Sequence, residues 1–204
     1  MKPLVLMLSL LCATAFAQQP ACEVMAVSGD AQRTDGKSLG VGDKLDVGTT
    51  LRTGTAGRVR LKFIDGSVLV LADKSQLRIE AFSAGTAQPR QAEFLLELGL
   101  IGQRVTPSAG GSWKVRTPTA VTAVRGTEFS VEVGDDRATA VHVKTGEVDV
   151  EPAGAQTRGI KPRYPVRLAK ALDGTRCDAS ECVAAMPWTA DRVQRLDQRL
   201  GSLD

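Results

Sequence analysis

Aromatic and histidine side chains are scarce in this 204-residue chain, which has five Phe, two Trp, one Tyr and a single His. Modules that bind single-stranded nucleic acid stack successive bases on aromatic rings, and so few rings provide no such platform. The 26 Lys and Arg and the 23 Asp and Glu are scattered along the chain, without a basic cluster. We therefore expect no nucleic-acid partner, and we expect a core built from Val, Leu, Ile and Ala.

Long apolar runs are missing as well, apart from a short one over residues 4–11. It follows the charged Lys2 and precedes the small-residue site Ala15-Phe16-Ala17. This pattern is typical of a secretory signal peptide, here cut after Ala17. A bilayer span takes about 20 apolar residues, so we expect no membrane span in the mature chain.

Cysteine is limited to four residues, and the first, Cys12, lies inside the predicted signal peptide. Lipidation of Cys12 is the alternative to cleavage, although bulky leucines precede it. Of the other three, Cys177 and Cys182 are the nearest pair, and an oxidising compartment favours a disulfide. A bridge from Cys22 to either of them is left open by the sequence. Because three thiols and a distant His142 lack the spacing of a zinc site, we predict no metal.

Short alternating segments separated by Gly, Asp and Thr turns run from residue 22 to residue 168. Asp65-Gly66 separates two such segments and predicts a β-hairpin with a type I′ turn, in which both central residues have positive φ. Thr145-Gly146 predicts a second hairpin by the same logic. Its two strands carry Val141, Val143, Val148 and Val150.

Two segments with several glycines are open to more than one interpretation. Residues 93–101 are compatible with a buried strand or a short helix, and Gly99 and Gly102 favour the strand. The glycines between residues 40 and 57 lack the strand-to-helix transition and the Gly-Lys-Ser/Thr of a phosphate cradle. They indicate corners between short strands, so we expect no nucleotide cofactor.

A helical pattern ends the chain, over residues 190–200. Thr189 is a suitable N-cap and Gly201 a suitable stop. Val193, Leu196 and Leu200 share one face of this helix. We predict that this apolar stripe packs back on the sheet, with docking onto a partner as the alternative for the same pattern.

No set of catalytic side chains stands out. His142 lies on the strand face opposite its valine neighbours, so we expect it to face solvent, and no Gly-x-Ser-x-Gly motif accompanies it. The acidic pairs Asp135-Asp136 and Glu147 with Asp149 fall at turns or on alternating outward positions, which is typical of solvated side chains. We therefore predict that the protein is not an enzyme.

The stretch over residues 115–133 is the most informative part of the chain. Phe129, Val131 and Val133 alternate with polar residues and predict a strand with one buried face. Upstream, Pro118 lacks a backbone donor and Gly126 permits a bend. The stretch therefore describes two short strands with a Thr-Pro entry and an Arg-Gly-Thr corner.

This stretch resembles the signature of the FecR family of bacterial envelope proteins, in which the pattern TP-x-A-x-x-x-V-R-G-T-x-F-x-V recurs. The matching residues are Thr117, Pro118, Ala120, Val124, Arg125, Gly126, Thr127, Phe129 and Val131. Further matches lie in residues 39–45, 50–54 and 59–67. We interpret the signature residues as structural, with the guanidinium of Arg125 binding carbonyls or a carboxylate to lock the bend. A role of Arg125 in binding a ligand or partner is the alternative.

The resemblance also implies a function. The best-known members of the family are inner-membrane regulators, with a cytoplasmic anti-sigma segment, one transmembrane helix and a periplasmic region that receives a signal from an outer-membrane transporter. Here a predicted signal peptide takes the place of the first two parts, so only the periplasmic module is implied and sigma-factor control is not. We expect a secreted, periplasmic, non-enzymatic interaction module in cell-envelope signalling or assembly, which engages an envelope protein partner through strand edges or hairpins.

Binding of peptidoglycan or polysaccharide is the alternative function. Sugar sites usually present exposed aromatic side chains, and beside five Phe only Trp113, Tyr164 and Trp188 are available. This shortage weighs against a cell-wall glycan as the ligand.

Three segments follow from these observations. Residues 1–17 are the signal peptide, residues 18–170 a FecR-like β domain, and residues 171–204 a Cys-containing tail with a short amphipathic helix. The domain is expected to be all-β, because short strands with regular turns must pair broadly to hide their edges. Its antiparallel strands form either a sandwich or a coiled, solenoid-like roll, and the sequence does not choose between them.

Overall fold

Sixteen β-strands and a C-terminal helix form the protein in a computed structural model, which describes residues 19–85, 88–154 and 165–203. The strands are β1 (Cys22–Ser28), β2 (Ala31–Arg33), β3 (Lys44–Leu45), β4 (Thr50–Thr53), β5 (Arg58–Phe63), β6 (Val68–Leu71), β7 (Gln76–Ser83), β8 (Gln91–Arg104), β9 (Ser112–Arg116), β10 (Ala120–Val124), β11 (Glu128–Val133), β12 (Thr139–Thr145), β13 (Val148–Pro152), β14 (Val166–Leu168), β15 (Asp173–Cys177) and β16 (Met186–Pro187), and the helix is α1 (Ala190–Leu200). The predicted all-β fold with a short C-terminal helix is confirmed. The predicted signal peptide, residues 1–17, lies outside the described residues. Among the helices within these ranges, none has the length and apolar character needed to cross a membrane.

The strands form two sheets that face each other and share β8. The first sheet has the order β3-β1-β5-β6-β8-β11-β12-β15-β16, and the second has the order β2-β4-β7-β8-β9-β10-β13-β14. Neighbouring strands are antiparallel, except that β8 and β9 are parallel. β8 passes from one sheet to the other at Gly99, which has a φ of 92°. A β-carbon there would lie 2.1 Å from the Oγ of Ser75, so glycine permits this shared strand.

The chain crosses between the two sheets many times. Its first four strands alternate singly between the sheets. After β8, consecutive antiparallel pairs of strands alternate between them, namely β9 with β10, β11 with β12, β13 with β14 and β15 with β16. The architecture is therefore a two-layer stack built by a winding chain, which combines the two arrangements that the sequence left open.

The second predicted hairpin is wrong. β12 and β13 flank Thr145-Gly146, but β12 pairs with β11 and β15, whereas β13 pairs with β10 and β14. Gly146 has a φ of 88°, and a β-carbon there would lie 2.9 Å from the carbonyl oxygen of Gly126. The turn therefore leads the chain into the other sheet. The prediction failed because apolar alternation specifies which face of a strand is buried and does not specify the strand with which it pairs.

The first predicted hairpin forms, with a different turn. β5 pairs with β6 on either side of Asp65-Gly66. Gly66 has a φ of 84°, but Asp65 is not among the described residues with positive φ, so the turn is not type I′. The side chain of Asp65 instead accepts hydrogen bonds from the backbone nitrogen of Ser67 at 3.0 Å and from its hydroxyl at 2.8 Å. These contacts close a four-residue loop in which a single positive φ is enough.

The main core lies between the two sheets. An aromatic cluster at its centre joins Phe63 of the first sheet to Phe82, Phe94 and Trp113 of the second, with ring centroids 4.7 to 5.3 Å apart. Phe129 and the two valines on its strand face are buried in the same core, as the alternating pattern predicted. Four of the described aromatic side chains therefore join the two sheets.

A second, smaller core lies on the outer face of the first sheet, beneath α1. It consists of Val70, Ala72, Leu100, Ala140, Trp188, Leu196 and Leu200. A β-carbon at Gly102 would lie 2.8 Å from a methyl carbon of Leu200, so glycine makes room for the helix. The predicted packing of the helical stripe on the sheet is confirmed. β15 and β16, assigned with α1 to the predicted tail, extend the first sheet.

The expectation that His142 faces solvent is wrong, because α1 covers the face on which it lies. His142 is only 4% exposed. The imidazole ring stacks on Trp188 with a centroid distance of 5.2 Å, and its Nε2 has no hydrogen-bond partner within the described ranges. Burial lowers the pKa of His142 below its ordinary value; Asp197 opposes this effect, and Arg192 and Lys144 reinforce it.

The burial of His142 predicts a pH-dependent stability. The unfolded chain binds a proton near pH 6.5, and the folded chain binds it only at lower pH. The free energy of unfolding is therefore expected to fall as the pH drops from about 7.5 to about 5.5. Urea denaturation at several pH values measures this slope. Since His142 is the only histidine, the His142→Phe variant, which keeps a ring against Trp188, is expected to lose most of it; equal slopes in both proteins would contradict the assignment.

A disulfide joins Cys177 to Cys182, the nearest pair in the sequence. Cys177 ends β15 in the main core, so the bridge fixes the following loop to the edge of the first sheet. Cys22 is a buried free thiol. Burial, together with the charge of Asp46, raises the pKa of this thiol to about 12, which makes it a poor nucleophile.

Candidate functional site

The signature residues lie at the two ends of β10. At one end, Thr117 starts the turn that leads from β9 into β10, and its Oγ1 accepts a hydrogen bond of 2.8 Å from the backbone nitrogen of Ala120. The same oxygen lies 2.6 Å from Oγ1 of Thr139, which in turn lies 2.7 Å from Oγ1 of Thr119. All three threonines are buried. This hydroxyl cluster links the β9-β10 turn to β12 of the opposite sheet, with Pro118 between its members.

At the other end of β10, the Arg125-Gly126-Thr127 segment carries the chain into the opposite sheet. A β-carbon at Gly126 would lie 2.9 Å from Cα of Pro107, so the backbone packs too closely for a side chain. The buried hydroxyl of Thr127 donates a hydrogen bond of 2.9 Å to the carbonyl of Glu147. The two crossings between the sheets, at residues 125–127 and 145–147, are therefore tied together.

A buried arginine that the sequence did not single out stabilises this corner. Arg90, only 3% exposed, donates from one terminal nitrogen to Asp65 at 2.8 Å and to the carbonyl of Thr106 at 2.6 Å. Its other terminal nitrogen lies 3.4 Å from the carbonyl of Arg125, and the guanidinium carbon is 5.5 Å from the ring centroid of Trp113. No local sequence signal marks Arg90, because its partners are all distant along the chain.

The structure places the side chain of Arg125 elsewhere than expected. Only the Arg125 backbone carbonyl is held, by Arg90 and by the backbone nitrogen of Ser108. Its guanidinium is exposed and makes no hydrogen bond or ion pair within the described part of the chain. The bend is therefore locked by Arg90, which leaves the side chain of Arg125 available on the surface.

An open groove of about 710 Å³ lies at this end of the fold, which we call the corner groove. It is lined by residues 110–112, 123–127, 146–147, 149 and 167. Arg167 is 2.8 Å from Asp149 and 4.0 Å from Glu147, so it neutralises one of the two negative charges on that wall. Arg125 also lines the groove, and its exposed planar guanidinium is suited to a carboxylate.

The corner groove lacks an evident catalytic set. Its acidic residues are engaged by Arg167, and among the described residues no three His, Cys, Asp or Glu side chains are grouped to hold a metal ion. His142 and the acidic pair Asp135-Asp136 do not line the groove. The arrangement fits binding through shape and one cation.

The fold and the groove together define a two-sheet β protein with an open groove at one end. Residues 49–149, which include most of the corner groove and the whole signature, match the family described as FecR protein. The chain therefore contains a FecR domain, as its signature predicted.

Comparison with other proteins supports the fold. Two crystal structures of a protein from Parabacteroides distasonis ATCC 8503, provisionally described as an anti-sigma factor, are each 22% identical to this chain with a TM-score of 0.54. Each alignment covers 71% of this chain and 62% of the other, so this chain spans less than two thirds of that protein. No curated protein matches the chain.

Proposed function

We propose that this protein is a periplasmic, non-enzymatic interaction module that binds an envelope protein partner in signalling or assembly. The observation that carries the proposal is the exposed Arg125 guanidinium in the corner groove of a FecR domain. The description of the structural neighbours as anti-sigma factors supports a role in signalling. The signal-peptide pattern of residues 1–17 supports export.

The build of the corner suits it to protein recognition. Buried contacts of Arg90 and Thr127 hold the groove walls in place, so little ordering is needed when a partner binds. Gly110, Gly111, Gly126 and Gly146 line the groove, and the absence of their side chains lets the chain's own segments pack closely at this corner. A partner carboxylate pairing with Arg125 would then fix the register.

Sugar binding is less well supported by the same structure. Trp113 is buried in the main core and Trp188 beneath α1, so neither ring is available to stack on a glycan. Tyr164 lies outside the described residues. We therefore treat binding to peptidoglycan as an outcome that would overturn the proposal.

Photocrosslinking in cells tests the proposal. A photoreactive residue at Ala123, an exposed position in the groove, is expected to capture one envelope protein, and the same residue at the exposed Lys37 of a distant loop is not. The Arg125→Gln change is expected to weaken the interaction about 10- to 100-fold, since charge-assisted hydrogen bonds contribute about 1.5–3 kcal/mol. The matched Arg78→Gln change, at an exposed arginine on another strand, is expected to have no effect.

Two further measurements accompany the crosslinking. Mass spectrometry of the periplasmic fraction is expected to find a mature N-terminus at residue 18. Sedimentation with purified peptidoglycan at moderate salt is expected to leave the protein in solution. Cosedimentation without any protein adduct at Ala123 would overturn the proposed function.

A further inference from the structure

The outer face of the first sheet is an apolar surface that α1 covers with few side chains. Leu196 and Leu200, one helical turn apart, enter the second core, and Val193 is partly buried beside them. The remaining positions of α1 are mostly charged or polar. An isolated helix of 11 residues is marginal in water, so its formation depends on its contacts with the sheet.

The fit between α1 and the sheet is incomplete. A partly open pocket of about 290 Å³ remains there, lined on the sheet side by Glu128, Ser130, His142 and Lys144 and on the helix side by Leu196, Asp197, Leu200 and Leu203. Nε2 of His142 is left without a hydrogen-bond partner in the described structure. A buried nitrogen without a hydrogen-bond partner lowers the stability of the interface between α1 and the sheet.

The sheet also provides fixed polar contacts for the end of a helix. Arg58 donates a hydrogen bond of 3.1 Å to the carbonyl of Gln198, and Arg104 donates to the carbonyl of Leu203. Cations at this position favour the carbonyl end of any helix that lies in the same direction. In addition, Arg199 of α1 pairs with Asp73 and Glu132 of the β fold.

From these contacts we propose that the outer face of the first sheet is a helix-binding site, which α1 occupies and from which another helix can displace it. The incoming partner is an amphipathic helix of another protein, with apolar side chains four residues apart and its carbonyl end at Arg58 and Arg104. A partner that also fills the pocket and hydrogen-bonds to His142 gains contacts that α1 does not make. This site is separate from the corner groove and goes beyond the function proposed for it.

Exchange can be measured with the chain's own helix as the probe. A fluorescent peptide of residues 188–203 is titrated with the full-length mature chain, and its binding is followed by anisotropy. Binding to the unmodified chain is expected to be weak, because the resident α1 occupies the site. Leu196→Ala in the chain weakens the packing of α1 on the sheet, which raises the fraction of molecules with an unoccupied site about tenfold. The peptide is therefore expected to bind this variant at least about tenfold more tightly.

Two controls make the result specific. Gln194→Ala, an exposed position on the same helix, is expected to leave the affinity unchanged. Gly102→Val fills the seat of Leu200 on the sheet and is expected to abolish peptide binding, with the milder Gly102→Ala reducing it. Far-UV circular dichroism checks that each variant keeps its β structure, and Arg125→Gln is expected to bind the peptide like the unmodified chain.

Three outcomes would overturn the inference. The peptide could fail to bind the Leu196→Ala chain even though hydrogen exchange shows α1 released. It could bind the Leu196→Ala and unmodified chains equally. It could also bind the folded Gly102→Val chain, which would place it on another surface.

Discussion

Replacing Arg90 by leucine is expected to destabilise the folded protein by about 3–5 kcal/mol, the cost of breaking a buried ion pair and leaving one charge behind. The stranded group is Asp65, 2.8 Å from the guanidinium and itself largely buried. The carbonyl of Thr106 loses its donor in the same step. Chemical denaturation measures the effect as a lower midpoint.

Two companion variants test the cause of this loss. Arg78→Leu removes an exposed arginine and is expected to change stability by no more than about 0.5 kcal/mol. Adding Asp65→Asn to Arg90→Leu removes the stranded charge and is expected to recover part of the loss. A denaturation midpoint for Arg90→Leu equal to that of Arg78→Leu would show that the buried pair does not stabilise the corner.

The Phe129→Ala substitution is expected to destabilise the protein by about 3–5 kcal/mol, the range for truncating a buried aromatic side chain. Phe129 lies in the main core on the face of β11 that looks toward the other sheet, so its removal leaves a cavity that close-packed neighbours fill only in part. Ile64→Ala, at an exposed apolar position, is the matched control and is expected to have little effect. An unchanged midpoint for Phe129→Ala would mean that this strand face is not part of the core.

The corner connects these stability effects to binding. Arg90 and Thr127 carry the structural contacts at the place where the chain crosses between the sheets. Because these buried residues hold the bend, the side chain of Arg125 is available to contact a partner in the corner groove. Loss of Arg90 is therefore expected to disturb both the fold and the groove, whereas loss of Arg125 is expected to disturb binding alone.

Local patterns predicted those features that depend on neighbouring residues. The alternation at Phe129, Val131 and Val133 predicted a buried strand face, since the side chains of a strand point to opposite sides in turn. The cap residues around α1 and its leucine spacing predicted a helix over residues 190–200 that packs on the sheet. Such patterns are read within a few residues and need no knowledge of the rest of the chain.

Long-range features escaped the same reasoning. Residues 141–143 and 148–150 alternate as a hairpin would, yet their strands pair in different sheets. His142 was expected in solvent because its strand alternates, but α1, about 50 residues further along the chain, covers that face. For the same reason no sequence pattern indicated the role of Arg90, and the role expected for the Arg125 side chain was wrong, since a salt bridge across 25 residues leaves no local mark.

By itself, the sequence determined the strand-rich fold class, the buried face of β11, the C-terminal helix and the family, because periodicity, turn residues and motifs are local properties of the chain. Only the tertiary structure decided which strands pair, which arginine is buried and which is displayed, and that both faces of the first sheet are covered. Those outcomes depend on which distant segments meet when the apolar faces are buried together, and burial then sets the hydrogen bonds and charges that each side chain finds.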